Sequence, residues 1–168
     1  MVTGSHSAHA AAGSPDAVVG PLTVHFLGNI LTFRARFKDT KESFTVIEVL
    51  TAPNAGPPPH TQTDQEAFLV LEGRYEIAVD GEIRHCGPGD FVHVSPGMMH
   101  SFRNIADTPS KMLLINFPGD LHEEFFVAIG DPLPSGATVF PEMLPPDVPH
   151  IIKTAARFGI DIPLPPAA

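Results

Sequence analysis

Side chains that could bind a metal ion occur in two short stretches of the sequence. His60, Gln62 and Glu66 lie in HTQTDQEAFLVLEG, and His100 lies in GPGDFVHVSPGMMHSFRN. Residues at i and i+2 of a strand project from the same face, so His60 and Gln62 share a face, and the next strand can bring Glu66 beside them. Two imidazoles and one carboxylate with open positions suit a divalent first-row metal ion, as in non-heme iron sites. The spacing therefore predicts a metal site made of His60, Gln62, Glu66 and His100.

Gln62 is the weakest donor of this set. Its amide oxygen is neutral, so it would hold the metal loosely or leave a position for water or substrate. A barrel without a metal, in which His60 and His100 are hydrogen-bonded core residues, is the alternative. Glu66 favours the metal-binding interpretation over this alternative, because a buried unpaired carboxylate is costly and metal coordination would offset that cost.

Apolar side chains alternate with these ligands and predict a small-molecule pocket. Phe68 follows Glu66 at i+2, and Phe102 follows His100 at i+2, so each pair shares a strand face. A plain hydrophobic core explains the phenylalanines equally well. The pocket residues that we predict are Phe68, Phe102 and Met98, with Met99 as the alternative to Met98 and with Phe125 and Phe126 as candidates from the tail.

The remaining histidines are weaker candidates. His93 precedes His100 by an odd number of residues and is interpreted as structural. Four others have no partner at ligand spacing in the sequence: His25, His85, His122 and His150.

Short segments rich in Val, Ile, Phe and Thr, separated by Gly, Pro and Asp, run from Leu22 to Phe117. Nine such segments predict an all-β barrel or sandwich of antiparallel strands. Asp80-Gly81, between RYEIAV and EIRHC, is typical of a tight hairpin turn, because Gly readily adopts a positive φ.

The pattern becomes helical after Pro118. LHEEFFVAIG and VPHIIKTAARFG each predict a helix, the second with Asp147 as its N-cap. We therefore expect a flexible arm over residues 1–16, a barrel over 17–118, and a helical, proline-rich extension over 119–168 that packs on the barrel.

Composition limits the partners. The chain has 168 residues, 43% of them hydrophobic, which suits one domain with a sizeable core. A formal charge of −9 disfavours nucleic acid and anionic membranes. Cys86 is the single cysteine, so no internal disulfide forms. The N-terminal residues lack the charge and apolar run of a signal peptide, and we expect a soluble cytoplasmic protein.

The two ligand stretches resemble the motifs of the cupins. The first cupin motif is a glycine, five residues, His-x-His, three or four residues, Glu, six residues and Gly. The second is a glycine, five residues, Pro-x-Gly, two residues, His, three residues and Asn. The positions in register here are His60, Glu66, Gly73, Gly89, Gly97, His100 and Asn104.

This sequence departs from the cupin motifs at three positions. Only three residues separate Gly56 from His60, Gln62 occupies the place of the second histidine, and Pro96 directly precedes Gly97. The GPPPH and AFLVLEG segments and the tail are similar to a bacterial subgroup of quercetinase-like cupins. The resemblance implies a cupin jelly-roll barrel with short C-terminal helices and one divalent first-row metal ion per chain (Fe, Mn, Ni, Co, Cu or Zn).

Three functions remain open. The quercetinase-like resemblance implies a metal-dependent dioxygenase acting on a small hydroxylated aromatic or enol substrate. Glu66 would take the substrate's hydroxyl proton, and we expect burial to raise its pKa for that task. Alternatively, the metal acts as a Lewis acid for a lyase, isomerase or cyclase, or the barrel binds a small molecule without turnover. Cupins commonly pair through exposed edges, which implies a homodimer.

Overall fold

The computed structural model describes residues 20–164, so the predicted arm over residues 1–16 lies outside the described part of the chain. The strands are β1 (Thr23–Phe26), β2 (Asn29–Ala35), β3 (Thr45–Thr51), β4 (Thr61–Gln62), β5 (Gln65–Glu72), β6 (Tyr75–Val79), β7 (Glu82–Cys86), β8 (Phe91–Val94), β9 (His100–Asn104), β10 (Ser110–Phe117), β11 (Asp131–Leu133) and β12 (Ile160–Asp161). The α-helices are α1 (Asp120–Ile129) and α2 (Val148–Arg157), and a short 3-10 helix spans Phe37–Thr40.

The strands form an antiparallel jelly-roll barrel, which confirms the predicted all-β fold class. A seven-stranded sheet has the order β11-β1-β2-β3-β10-β5-β8, and it faces a three-stranded sheet of order β7-β6-β9. β4 and β12 form a separate pair. Each of the nine segments predicted as strands overlaps a strand of the structure.

Alternating burial explains why these segments form strands with one face in a shared core. Along β3 and β10, every second residue is buried, as a half-buried strand requires. Val49 and Met112, which are paired across these strands, are both fully buried. Ile77 from the smaller sheet belongs to the same hydrophobic cluster. The two sheets therefore enclose one core between their inner faces.

The Asp80-Gly81 hairpin is confirmed. Val79 pairs with Glu82 across the turn. Asp80 and Gly81 have φ angles of 47° and 86°, both in the left-handed region that a primed two-residue turn requires.

The C-terminal segment adds both α-helices and two short strands to the barrel. β11 extends the large sheet beside β1, and β12 pairs with β4. The Asp147 side chain accepts a hydrogen bond from the His150 backbone N–H at 3.1 Å and caps α2 as predicted. No helix in residues 20–164 has the length or the apolar content that a membrane crossing requires.

Gly119 sets the position of α1. Its φ is 86°, and a Cβ there would lie 2.6 Å from Thr45 Oγ1 and 2.8 Å from the Asn116 carbonyl oxygen. One turn later, the Glu123 carboxylate accepts hydrogen bonds from Arg36 Nε at 2.7 Å and from the Phe37 backbone N–H at 2.8 Å. These contacts hold α1 against the barrel immediately after β10.

Candidate metal centre

His60 and His100 face each other across two segments of the barrel. Each backbone N–H donates to the other's carbonyl oxygen, at 3.0 and 2.9 Å. The ring centroids are 4.2 Å apart, and both side chains are buried. The two stretches that carry the predicted ligands are therefore joined by direct pairing at the ligands themselves.

Glu66 projects from β5 towards these rings and is 2% exposed. His100 Nε2 lies 3.0 Å from Glu66 Oε2. Asn116, the partner of Glu66 on β10, donates from Nδ2 to Oε1 at 3.0 Å. One carboxylate oxygen thus faces His100, while the other accepts a hydrogen bond from the Asn116 amide.

His60, Glu66 and His100 form a compact group of donors. One donor atom from each lies within 4.8 Å of the other two, and all three residues are buried. Two imidazoles and a carboxylate are a suitable donor set for a divalent first-row ion. The group could therefore hold a metal ion.

The contacts of the His100 ring fit a bound cation. Nδ1 lies 2.9 Å from the Met98 carbonyl oxygen, and Nε2 faces Glu66. A neutral imidazole carries only one N–H, so the metal-free ring faces two acceptors with one donor unless it is protonated. Nε2 and Oε2 lie 3.0 Å apart, so both atoms could serve as donors to one ion. A metal would satisfy both atoms with a neutral imidazole.

The pKa of Glu66 differs from our expectation. Burial by itself would raise it, but the hydrogen bond from His100 and the charges of the surrounding imidazoles outweigh that effect and lower the pKa to about 2. The expected increase in the pKa of Glu66 is therefore wrong, because the sequence does not give the distances from the carboxylate to these partners. A carboxylate that stays ionised is well suited to bind a cation.

The surroundings shift the pKa values of the His60 and His100 imidazoles in opposite directions. Burial lowers the pKa of His60 to about 4, and His100 nearby adds to that effect. Burial also disfavours the charged form of His100, but its hydrogen bond to Glu66 and the carboxylate charge raise its pKa overall. His60 is therefore the neutral donor, and His100 is the ring paired with Glu66.

Gln62 is buried next to this group, at 3% exposure. Its Nε2 lies 3.5 Å from the Asp64 carbonyl oxygen, and its Oε1 has no hydrogen-bond partner among the described residues. A buried acceptor without a partner is unusual in folded proteins. Its role as a metal ligand remains a prediction, and the free oxygen is consistent with it.

A small apolar cavity of about 50 Å³ adjoins the donor group. His60, Glu66 and Phe102 contribute to its wall. Phe125 and Phe126 from α1 line it as well, together with Phe26, Leu31 and Leu114. The cavity therefore combines a polar metal-facing end with an apolar body, as small-molecule sites commonly do.

Phe68 and Met98 lie next to the site rather than among the cavity-lining residues. Phe68 is fully buried and packs edge-on against Phe102, with ring centroids 5.7 Å apart. Met98 is partly buried against the core, and its carbonyl oxygen orients His100. Their roles as pocket residues remain predictions.

His122 belongs to the site, although its spacing in the sequence does not predict this. Its Nε2 lies 3.7 Å from Glu66 Oε1, and its Nδ1 lies 3.5 Å from Asp64 Oδ1. Ligand spacing could not find it, because it lies 56 residues after Glu66, on α1. Helical spacing could have helped, since His122, Phe125 and Phe126 lie at i, i+3 and i+4 and form the buried face of that helix.

Comparison with known proteins relates much of the barrel to a protein family. A family model described as "Cupin domain" matches residues 47–116. The chain is 40% identical over 73 residues to quercetin 2,3-dioxygenase of Bacillus subtilis (strain 168), covering 44% of this chain and 20% of that protein. It is 33% identical over 117 residues to probable oxidoreductase patJ of Penicillium expansum, covering 62% of this chain and 36% of that protein. The chain thus spans far less than two thirds of these relatives.

A solved structure agrees with the sequence matches. The RmlC-like cupin from Shewanella frigidimarina NCIMB 400 superimposes with a TM-score of 0.53 at 17% identity, covering 60% of this chain and 85% of that chain. At this identity the likeness concerns the fold. The family match over residues 47–116, the sequence relatives and the shared fold support membership of the cupin superfamily.

Proposed function

We propose that this cupin is a metal-dependent dioxygenase acting on a small hydroxylated aromatic or enol compound. The observation that carries the proposal is the buried group of His60, Glu66 and His100 at one end of an apolar cavity. The similarity to a quercetin 2,3-dioxygenase over 73 residues supports the choice of chemistry. The proposal includes the quercetinase-like subgroup, a divalent first-row metal ion and the class of substrate.

A bound first-row metal would supply Lewis acidity at the polar end of the cavity and, if redox-active, a means of activating O2. The chain's own contribution is to exclude water and to orient the substrate. Phe102, Phe125 and Phe126 surround the reacting end with apolar surface, which strengthens electrostatic interactions there.

Glu66 is the proposed acceptor of the substrate's hydroxyl proton. Its low pKa makes it a weak base while His100 donates to Oε2. Proton acceptance at Oε2 therefore requires that His100 no longer donates to that oxygen. Asn116 holds Oε1 in place, so the carboxylate keeps its orientation during the transfer.

Cavity volume guides the choice of substrate. About 50 Å³ has room for a few water molecules. Pockets for drug-sized ligands start at about 300 Å³. A compound of flavonol size therefore requires displacement of the phenylalanines on α1, whereas a single-ring compound requires a smaller change.

The test is anaerobic reconstitution of the metal-free protein with Fe(II), Mn(II), Ni(II), Co(II) or Zn(II). Single-ring hydroxylated aromatics and enols are offered first, then flavonols, with O2 uptake and product mass recorded. We expect O2 consumption and both oxygen atoms in the product. Glu66→Gln should reduce turnover more than metal content, and His93→Ala is the matched control because that ring is exposed.

Two other outcomes would replace this proposal. Conversion supported by Zn(II) in the absence of O2 would select Lewis-acid chemistry, as in a lyase, isomerase or cyclase. Ligand binding without conversion under any metal would select a small-molecule-binding function.

A further inference from the structure

We propose that His122 supplies a third imidazole to the metal site, beside His60 and His100. This inference rests on the metal binding proposed above. It comes from the juxtaposition of three buried histidine rings around the Glu66 carboxylate, two from the barrel and one from α1.

The position of His122 is defined by two carboxylates. Its Nε2 lies 3.7 Å from Glu66 Oε1, and its Nδ1 lies 3.5 Å from Asp64 Oδ1. The ring is 3% exposed and lines the same cavity as His60 and Glu66. α1 thus brings an imidazole near Glu66 Oε1, while His100 faces Oε2 of the same carboxylate.

In all three rings Nδ1 is directed at an oxygen atom, closely in His60 and His100 and at a longer distance in His122. His60 Nδ1 lies 2.9 Å from the Pro58 carbonyl oxygen, and His100 Nδ1 lies 2.9 Å from that of Met98. His122 Nδ1 faces a carboxylate oxygen instead. Metal-binding histidines almost always direct the second ring nitrogen at such an acceptor, which fixes the tautomer and leaves Nε2 for the metal.

Unpaired buried atoms indicate that the polar cluster is incomplete without a cation. Asp64 Oδ2, His122 Nδ1 and Gln62 Oε1 have no hydrogen-bond partner within residues 20–164. Buried polar atoms are nearly always paired. A metal bound at Nε2 would make Nδ1 a better donor, so the contact between His122 and Asp64 would shorten into a hydrogen bond.

The distances require a small movement of the ring. His122 is outside the group of donors that lie within 4.8 Å of one another. The 3.7 Å between His122 Nε2 and Glu66 Oε1 is longer than the 3.0 Å between His100 Nε2 and Glu66 Oε2, so the His122 ring has to move towards the ion. The cavity beside the ring leaves space for a side-chain rotation while Glu123 and Arg36 keep α1 in place.

The test is to count the imidazole ligands of the metal in the metal-loaded full chain. X-ray absorption spectra of the protein loaded with Zn(II) should show three imidazole ligands in the parent and two in His122→Ala. Competition with a chelator should show at least 10-fold weaker Zn(II) binding in His122→Ala and His122→Gln. His93→Ala, in which an exposed ring that contacts Gln65 is removed, should match the parent in both measurements.

Two imidazoles in the loaded parent would overturn the inference while leaving the metal site intact, even if His122→Ala binds more weakly, because His122 would then act through Glu66. Unchanged affinity and imidazole count in His122→Ala would also overturn it. If His122→Ala does not fold, the number of imidazole ligands in the metal-loaded parent decides whether His122 is a ligand. A parent that binds no Zn(II) would overturn both this inference and the proposed function.

Discussion

The metal-free protein should lose stability in acid through Glu66, and Glu66→Gln should remove that loss. The folded carboxylate has a pKa of about 2, against 4.5 for the unperturbed group, because His100 and the other imidazoles stabilise the ionised form against the effect of burial. Because the pKa of Glu66 is lower in the folded protein than in the unfolded chain, its contribution to stability is fully present above pH 4.5. It is lost as the pH falls through about 2.

The size of this contribution follows from the two pKa values. At about 1.4 kcal/mol per pKa unit, the ionised Glu66 adds about 3 kcal/mol to the free energy of unfolding at neutral pH. About 2 kcal/mol of that amount should be lost by pH 3. The difference in unfolding free energy between the parent and Glu66→Gln should therefore shrink by about that much between pH 6 and pH 3.

Urea unfolding of the chelator-treated proteins, followed by circular dichroism at several pH values, measures this difference. Glu82→Gln is the matched control, because the Glu82 side chain is 78% exposed and should change stability little at any pH. Parallel pH profiles for the parent and Glu66→Gln would refute the reasoning, since the buried carboxylate would then not be held ionised by its imidazole partners.

Two further predictions concern the ligand set and the helix that borders it. Gln62→His should tighten metal binding and slow metal loss to a chelator, because imidazole is a better donor than an amide oxygen; unchanged affinity in the metal-loaded variant would mean that Gln62 points away from the ion. Gly119→Ala should cost more stability than Gly81→Ala, because both glycines have a φ of 86° but only the new Cβ at position 119 would meet other atoms within 4 Å. Equal losses in thermal unfolding would mean that the close approach to Thr45 and Asn116 does not hold α1.

The barrel was predictable because its signals are local. Alternation of buried and exposed residues marks the strands, and Asp80-Gly81 marks a turn through its backbone conformation. The group of His60, Glu66 and His100 was predictable for a different reason: His100 lies far from the other two in the sequence, but their two stretches resemble the two cupin motifs. The short strands β4, β11 and β12 carry too few residues for such a signal, and they form through tertiary pairing.

The parts of the site that escaped prediction depend on distances across the fold. His122 reaches Glu66 because Gly119 and the contact between Glu123 and Arg36 set the direction of α1. The pKa of Glu66 depends on how close the imidazoles lie, and residue types alone indicated only burial. The homodimer stays a prediction for the same reason, because it depends on surface geometry.

The most direct test of the central claim, a metal site built on His60, Glu66 and His100, is the metal content of the purified protein. Parent protein purified without chelator from metal-replete cells should carry close to one first-row metal ion per chain by mass spectrometry. His100→Ala should lose that metal, because it removes an imidazole and the partner of Glu66; His93→Ala should retain it. A metal-free parent, or unchanged metal content in His100→Ala, would contradict the account.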